Sequence, residues 1–219
     1  MLTTGSRNLD ELLGGGIEEG VLTQVYGPFA SGKTTLALQV GLLSGGKVAY
    51  VDTEGGFSPE RLAGMAENRG FDVEEALSRF LLFEPMSFSE QRRGVGRLKR
   101  VVDEHFSLVV VDSISAHYRV EEHRGDMLQD IARQLQVLWW LARRLNIAVM
   151  VINQVHFDPK GNAPRPIAET TLGYRCKDIL RLEKHPKPSV RIAVLERHRF
   201  MAEGRMAYFR LSDAGIEDI

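Results

Sequence analysis

Short, nearly unbroken apolar runs alternate along the chain with longer stretches in which apolar residues recur every three or four positions. Val21–Gly27, Lys47–Thr53, Phe80–Glu84, Ser107–Asp112 and Ile147–Asn153 are the short runs, and strands apolar at nearly every position are buried on both faces. Between them, Thr34–Leu43, Pro59 to about Asn68, Ser89–His105 and a stretch from near Asp126 to Asn146 read as helices. Ser58 supplies a cap for the second of these, with proline at its first helical position. In the longest, Leu128, Ile131, Leu135, Leu138, Ala142 and Leu145 form one core-facing stripe. Strand–helix alternation predicts parallel βαβ units. After Asn153 the rhythm changes: residues 154–175 are rich in glycine, proline and polar groups and read as a loop. Asp178–Glu183, Val190–Glu196 and Met206–Leu211 then look like strands with no helices between them, hence antiparallel hairpins. The expectation is an α/β fold, parallel first and extended by antiparallel strands, as one domain over residues 1–219.

Composition narrows the class. With 43% hydrophobic and 26% charged residues, the chain has the balance of a globular core and excludes a disordered tail or collagen-like rod. Its single cysteine, Cys176, forms no internal disulfide, which fits a reducing compartment. No apolar run approaches the roughly 18 residues of a membrane span, so a cytoplasmic protein is expected. The 28 basic and 29 acidic side chains leave a net charge of −1, so any nucleic-acid surface must come from clustering.

The chemistry begins at Gly27-Pro28-Phe29-Ala30-Ser31-Gly32-Lys33-Thr34-Thr35, a full G-x-x-x-x-G-K-[ST] match between the first strand and the first helix. Its glycines let backbone amides wrap a phosphate at a helix N-terminus. Lys33 is placed to reach the β- and γ-phosphates of ATP, and the Thr34 hydroxyl to ligate Mg²⁺. Asp112, at the tip of an apolar strand, is the second candidate metal-holding group. Glu54, just past the second strand, is a candidate base for water in line with the γ-phosphate; a solvated loop carboxylate is the alternative. Asn153-Gln154 ends the fifth strand, where a neutral amide can sense that phosphate or simply form a turn.

Residues 181–210 carry eight basic side chains against three acidic ones, a balance of 8 − 3 = +5. Within this stretch Arg197, His198 and Arg199 are candidates for DNA phosphates or for a neighbouring subunit's nucleotide, and a solvated hairpin is the plain alternative. Arg92, Arg93, Arg97, Lys99 and Arg100 read as a solvated helix face. Trp139 and Trp140 lie mid-helix, one for the core and one for a partner surface. His105, His117, His156 and His198 lack the paired spacing of a zinc site, and no metal role is expected of them.

Together these motifs resemble the RecA-type recombinase ATPases, nearest the archaeal and eukaryotic Rad branch. The similarity runs from Thr3-Thr-Gly-Ser and Leu9-Asp10-Glu-Leu-Leu-Gly14-Gly-Gly-Ile17 through Gly27–Thr35, Asp52-Thr-Glu54-Gly-Gly-Phe57-Ser-Pro-Glu-Arg61-Leu and Val111-Asp112-Ser113 to Asn153-Gln154-Val155. The resemblance implies a P-loop ATPase core with Lys33, Glu54 and Gln154 catalytic and Gln154 sensing the γ-phosphate. It also implies Arg61 stacked on adenine, and ATP·Mg²⁺ held by Thr34 and Asp112. The stretch from Tyr118 to Asp126, with Arg124, takes the place of the first DNA loop. Full recombinases carry a helical DNA-binding domain and a Phe-x-x-Ala plug before the motif that here starts at Thr3, and their second DNA loop has adjacent glycines where Pro166-Ile167 is followed by Ala168-Glu169. A core-only paralogue is therefore expected. It would bind single-stranded or branched DNA without sequence preference, hydrolyse ATP weakly, and assist the main recombinase. A junction-resolving nuclease as partner and a homo-oligomer belong to the same expectation. A self-sufficient strand-exchange recombinase, a P-loop small-molecule kinase and a non-catalytic scaffold are the rivals.

Overall fold

The computed structural model describes residues 1–117, 124–156 and 165–219. In chain order the elements are α1 (Arg7–Leu12), β1 (Leu22–Tyr26), α2 (Lys33–Leu43), β2 (Lys47–Asp52), α3 (Pro59–Asn68), α4 (Val73–Ser78), β3 (Phe80–Phe83), α5 (Phe88–Val101), β4 (Phe106–Asp112) and α6 (Arg124–Leu145). They continue with β5 (Ala148–Asn153), β6 (Val155–His156), β7 (Arg165–Pro166), α7 (Glu169–Arg175), β8 (Asp178–Lys184), β9 (Val190–Arg197), β10 (Met206–Ser212) and β11 (Gly215–Asp218). Among the described residues, nine strands form one sheet in the order β11-β10-β9-β8-β1-β5-β4-β2-β3.

The predicted βαβ half is present: β1, β5, β4, β2 and β3 run parallel, and their C-terminal ends lie along one edge. One face packs Leu36, Leu38, Val40 and Leu42 of α2 with Leu62 and Met65 of α3. The other packs Phe88, Val95 and Leu98 of α5 with Ile131, Leu135 and Leu138 of α6. Strands covered on both faces by helices must be apolar throughout, which is why β4 and β5 read as unbroken hydrophobic runs.

Helices α1 and α4 and strand β11 fall outside the elements read from the sequence, and three further differences concern the second half of the fold and α5. Residues 154–175 are not all loop, since β6 and β7 pair as a short hairpin and α7 follows. Because α7 is a crossover helix, β8 joins β1 in parallel, and the antiparallel pairing begins only between β8 and β9. Helix α5 stops at Val101 rather than His105, because Val102 is extended and buries its side chain. Ser58, the predicted cap of α3, accepts the Arg61 amide at 3.0 Å.

Helix α2, which carries the phosphate loop, is clamped by a residue the sequence did not flag. Buried Gln39 donates to the Thr4 and Ile216 carbonyls at 2.7 and 3.0 Å and accepts the Ile216 amide at 2.6 Å. Asp218 in turn accepts the Arg7 and Asn8 amides at 2.9 and 3.1 Å. Both ends of the chain are thus tied to α2.

The stripe on α6 sets a first test. Leu138 is fully buried while Arg143 on the same helix is exposed. Leu138→Ala is expected to lower unfolding free energy by about 2–5 kcal/mol, and Arg143→Ala by no more than about 0.5 kcal/mol, as read by urea denaturation.

Candidate functional site

The edge formed by β1, β5, β4 and β2 opens into a cavity of about 1290 Å³, lined by the phosphate loop, Glu54, Asp112, Gln154 and Ile167 among others. At its floor the chain turns from β1 into α2 through Gly27, whose φ is +156°. A Cβ there would lie 2.1 Å from the Leu182 carbonyl oxygen of β8, so no other residue fits. Gly32, at φ +99°, caps α2 in the left-handed region. The loop therefore presents amides and a helix N-terminus to the cavity, the geometry of an anion cradle.

Lys33 folds over this loop and donates to the Gly27 and Pro28 carbonyls at 3.0 and 2.9 Å. Burial lowers its ammonium from the ordinary lysine range, opposed by Asp112 and Glu54. The Thr34 hydroxyl donates to Asp112 Oδ2 at 2.6 Å, and the Tyr50 phenol donates to the same oxygen at 2.8 Å. Burial pushes the Asp112 carboxyl up to about 6, with these two donors pulling the other way and Glu54 and Asp52 adding to the rise. Thr34 and Asp112 form an oxygen pair at the mouth of the loop, a donor set suited to Mg²⁺. The polar atoms and the loop together fit a nucleoside triphosphate with its metal.

Glu54 is held from two sides. Gln154 Nε2 donates to Glu54 Oε1 at 2.6 Å, and Ser113 Oγ donates to that oxygen as well. The loop carrying Glu54 is built by Asp52, whose carboxylate accepts the Glu54 and Gly56 amides at 3.1 Å and the Phe57 amide at 2.7 Å. Gln154 is set by Asn153, which accepts the Gln154 amide at 2.9 Å and donates to the Ile167 carbonyl at 2.8 Å.

Lys33, Thr34, Glu54, Asp112 and Gln154 are thus brought together, and Phe29 stands 89% exposed at the rim. Arg61 lies outside the lining: its guanidinium donates to the Ser212 and Asp213 carbonyls at 2.5 and 3.2 Å, one residue beyond cavity-lining Leu211. The three basic-hairpin candidates separate. Arg197 is exposed and donates to the Gly173 carbonyl of α7, whereas Arg199 pairs with Glu18 at 3.1 Å. His198 is a correction to the sequence reading: its side chain is 1% exposed, because the ring is packed beneath the turn after β9, so it offers no surface to DNA. The side chain of Arg124 lies outside the described residues. Tyr50, Ser113 and Asp52 were missed. A tyrosine in a strand buried on both faces, and an aspartate two, four and five residues before the amides it caps, are the signals that would have found two of them.

The state of Asp112 sets the pH dependence. Its folded value lies above the ordinary carboxylate value, so the fold favours the proton, and ionisation costs stability as pH rises through that interval. Asp112→Asn is expected to leave the melting temperature near neutral pH unchanged or higher while abolishing Mg²⁺-dependent nucleotide binding. In the parent chain that binding should fall as pH drops below about 6, with the midpoint moving lower at higher Mg²⁺. Tyr50→Phe removes a donor to the carboxylate, so its midpoint should move up. Fluorescent-nucleotide titrations across pH read all three.

Comparison with known proteins agrees with this geometry. A family model described as Rad51 matches residues 1–219. The chain is 68% identical over 219 residues to the DNA repair and recombination protein RadB of Thermococcus kodakarensis, covering all of both. The protein of that name from Pyrococcus furiosus is 62% identical, with 100% of this chain and 96% of that one covered. The one from Halobacterium salinarum is 38% identical over 225 residues, with 99% and 94% covered. A solved structure described as the crystal structure of the RadB recombinase matches with a TM-score of 0.93 and 68% identity over 100% of both chains. With the family model spanning the chain and the sheet, cradle and strand-tip residues arranged as described, the chain belongs to the Rad51 family and has its RecA-type α/β core.

Proposed function

We propose that this chain is a Mg²⁺-dependent, slow ATPase that binds DNA without sequence preference and assists homologous recombination and repair. The observation that carries the reading is the convergence of Lys33, Thr34, Asp112, Glu54 and Gln154 on one cavity above a P-loop. Thr34 and Asp112 would hold Mg²⁺, which would supply positive charge against the triphosphate. The loop amides and Lys33 would hold the triphosphate, Lys33 exchanging the Gly27 and Pro28 carbonyls for phosphate oxygens. Glu54 takes a proton from the attacking water on Oε2, while Ser113 and Gln154 hold its Oε1 and so orient the carboxylate. The second amide hydrogen of Gln154 is then the proposed donor to the γ-phosphate. Arg61, beside Leu211, is the proposed adenine contact at the rim, and RadB-named relatives make a RecA-type recombinase the natural partner. A junction-resolving nuclease and a homo-oligomer remain part of the proposal.

For DNA, the face around α7 is favoured. Tyr174 is 78% exposed, and Lys177 and Arg197 are exposed beside it. An aromatic ring among cations gives base stacking and phosphate contact without sequence readout.

Two measurements test this reading. Glu54→Gln is expected to bind ATP normally and to lose about 10²–10⁴-fold in turnover, measured with and without single-stranded DNA. Strong DNA stimulation of the parent enzyme would instead support a self-sufficient recombinase motor, and indifference to Glu54→Gln a scaffold. Arg197→Ala should weaken single-stranded DNA binding equally across sequences and reduce the salt slope of log K by about 0.7, read by fluorescence anisotropy at several salt concentrations.

A further inference from the structure

At the end of the sheet away from the phosphate loop, three separate segments bring acidic and imidazole groups together. Glu18 lies between α1 and β1, Asp178 opens β8, and His198 follows the last residue of β9. One ligand atom from each lies within 4.8 Å of the others, with His198 Nε2 and Asp178 Oδ1 3.8 Å apart. The side chains are 13%, 2% and 1% exposed, in that order. Asp178 is the register partner of Thr23 on β1. From Thr23 to Gly27 the strand climbs about 13 Å, so the cluster is separate from the nucleotide cavity.

Buried polar atoms are nearly always partnered, and each exception calls for an explanation. Among the described residues nine buried side-chain atoms lack a hydrogen-bond partner, and Glu18 Oε2, Asp178 Oδ1 and His198 Nε2 are three of them. The Thr23 hydroxyl beside Asp178 is a fourth. An imidazolium–carboxylate pair does not account for the group. His198 Nδ1 accepts the Phe200 and Met201 amides at 3.3 and 3.2 Å, which leaves Nε2 for Asp178, and 3.8 Å is too long for a hydrogen bond between them.

We propose that Glu18, Asp178 and His198 form a binding site for a divalent transition-metal ion of the zinc type. One imidazole and two carboxylates are borderline donors that suit Zn²⁺, whereas Mg²⁺ and Ca²⁺ are served by oxygen alone. Zinc bonds to nitrogen and oxygen of about 2.0–2.2 Å place tetrahedral ligand atoms about 3.4 Å apart, a contraction of a few tenths of an ångström from the observed His198–Asp178 spacing. Glu18 uses Oε1 for Arg199 at 3.1 Å and keeps Oε2 for the ion. The Arg199 amide also bonds Asp178, so one residue orients both carboxylates. Burial raises the Asp178 carboxyl above the usual range, against the pull of His198 and Arg199, and a dication reverses that penalty. Binding at Nε2 moves the ring proton to Nδ1 with no net proton release. The Phe200 and Met201 amides then lose their acceptor, so loading reshapes the turn after β9, where Phe200 is 59% exposed.

The test uses the full chain carrying Asp112→Asn, stripped with chelator and free of nucleotide, titrated with Zn²⁺ against a chromophoric chelator. The expected result is one saturable ion per chain, not displaced by excess Mg²⁺ and weakened at least tenfold by Asp178→Asn or His198→Asn. Asparagine at either position is uncharged, and at 198 it retains a short acceptor for the following amides. Zn²⁺ should raise the melting temperature of the parent but not of either variant, whatever the variant's own melting point, because only binding to the native site shifts it. Hydrogen exchange at the Phe200 and Met201 amides should quicken with the ion. Absence of stoichiometric binding, or binding unchanged in both variants, overturns the proposal and leaves ordered water in the gap or zinc on other histidines.

Discussion

Two carboxylates lie side by side at the edge of the sheet, and much of the site is a response to that fact. Asp52 and Asp112 are register partners at the tips of β2 and β4, and both are buried. Burial is what chiefly raises the Asp112 carboxyl, with the Glu54 and Asp52 charges adding to it. The two side chains are partnered differently. Asp52 spends its oxygens on three amides of its own loop, which fixes the backbone that carries Glu54. Asp112 receives only two hydroxyls, both on one oxygen. Its proton is therefore held harder than that of an ordinary carboxylate, and under the proposed reading a divalent cation would supply the counter-charge. Lys33, likewise short of solvent, is steadied by Asp112 and Glu54.

A site of this kind needs a rigid floor, because a helix N-terminus stabilises an anion only within its first turn. Residues 36–42 of α2 are all buried, so the helix is enclosed and cannot drift from the sheet. Gln39 fastens it to Thr4 near one end of the chain and to β11 at the other, and Leu182 closes against Gly27 from β8. Long-range ties of this sort make the cradle a property of the whole fold, not of the nine-residue motif.

The motif and the parallel half were legible because each depends on local pattern. Buried strands show as apolar runs, and a loop that wraps phosphate must place glycine, lysine and threonine at fixed offsets. The second half was harder. Glu169–Arg175 contains Gly173 and two threonines, so its helical character comes from burial of Leu172 and not from propensity, and missing it hid the parallel pairing of β8. The partners of Glu54 and Asp112 were illegible for another reason. Ser113 lies 59 residues from Glu54 and Tyr50 62 residues from Asp112, and only strand register brings them into contact. The Glu18–Asp178–His198 cluster is the extreme case, since no spacing rule joins three residues drawn from a loop, a strand start and a strand end.

A chain of contacts leads from the cavity to the exposed face of α7. Glu54 holds Gln154, Asn153 beside it holds Ile167, Ile167 precedes α7, and the Gly173 carbonyl of α7 accepts Arg197. Contiguity alone is not coupling, which requires an element with two arrangements that both ends bias. Gln154 is the residue at which the two ends meet, because its amide nitrogen gives one hydrogen to Glu54 Oε1 and keeps a second for a ligand in the cavity. Its backbone is bonded to Ile167 N and to Asn153 Oδ1, so a turn of the side chain is opposed by few groups other than Glu54 itself. Gln154 thus joins the Glu54 carboxylate to the β6–β7 hairpin. If the proposed DNA face at α7 and the cavity bias the Gln154–Glu54 contact, each must by reciprocity bias the other.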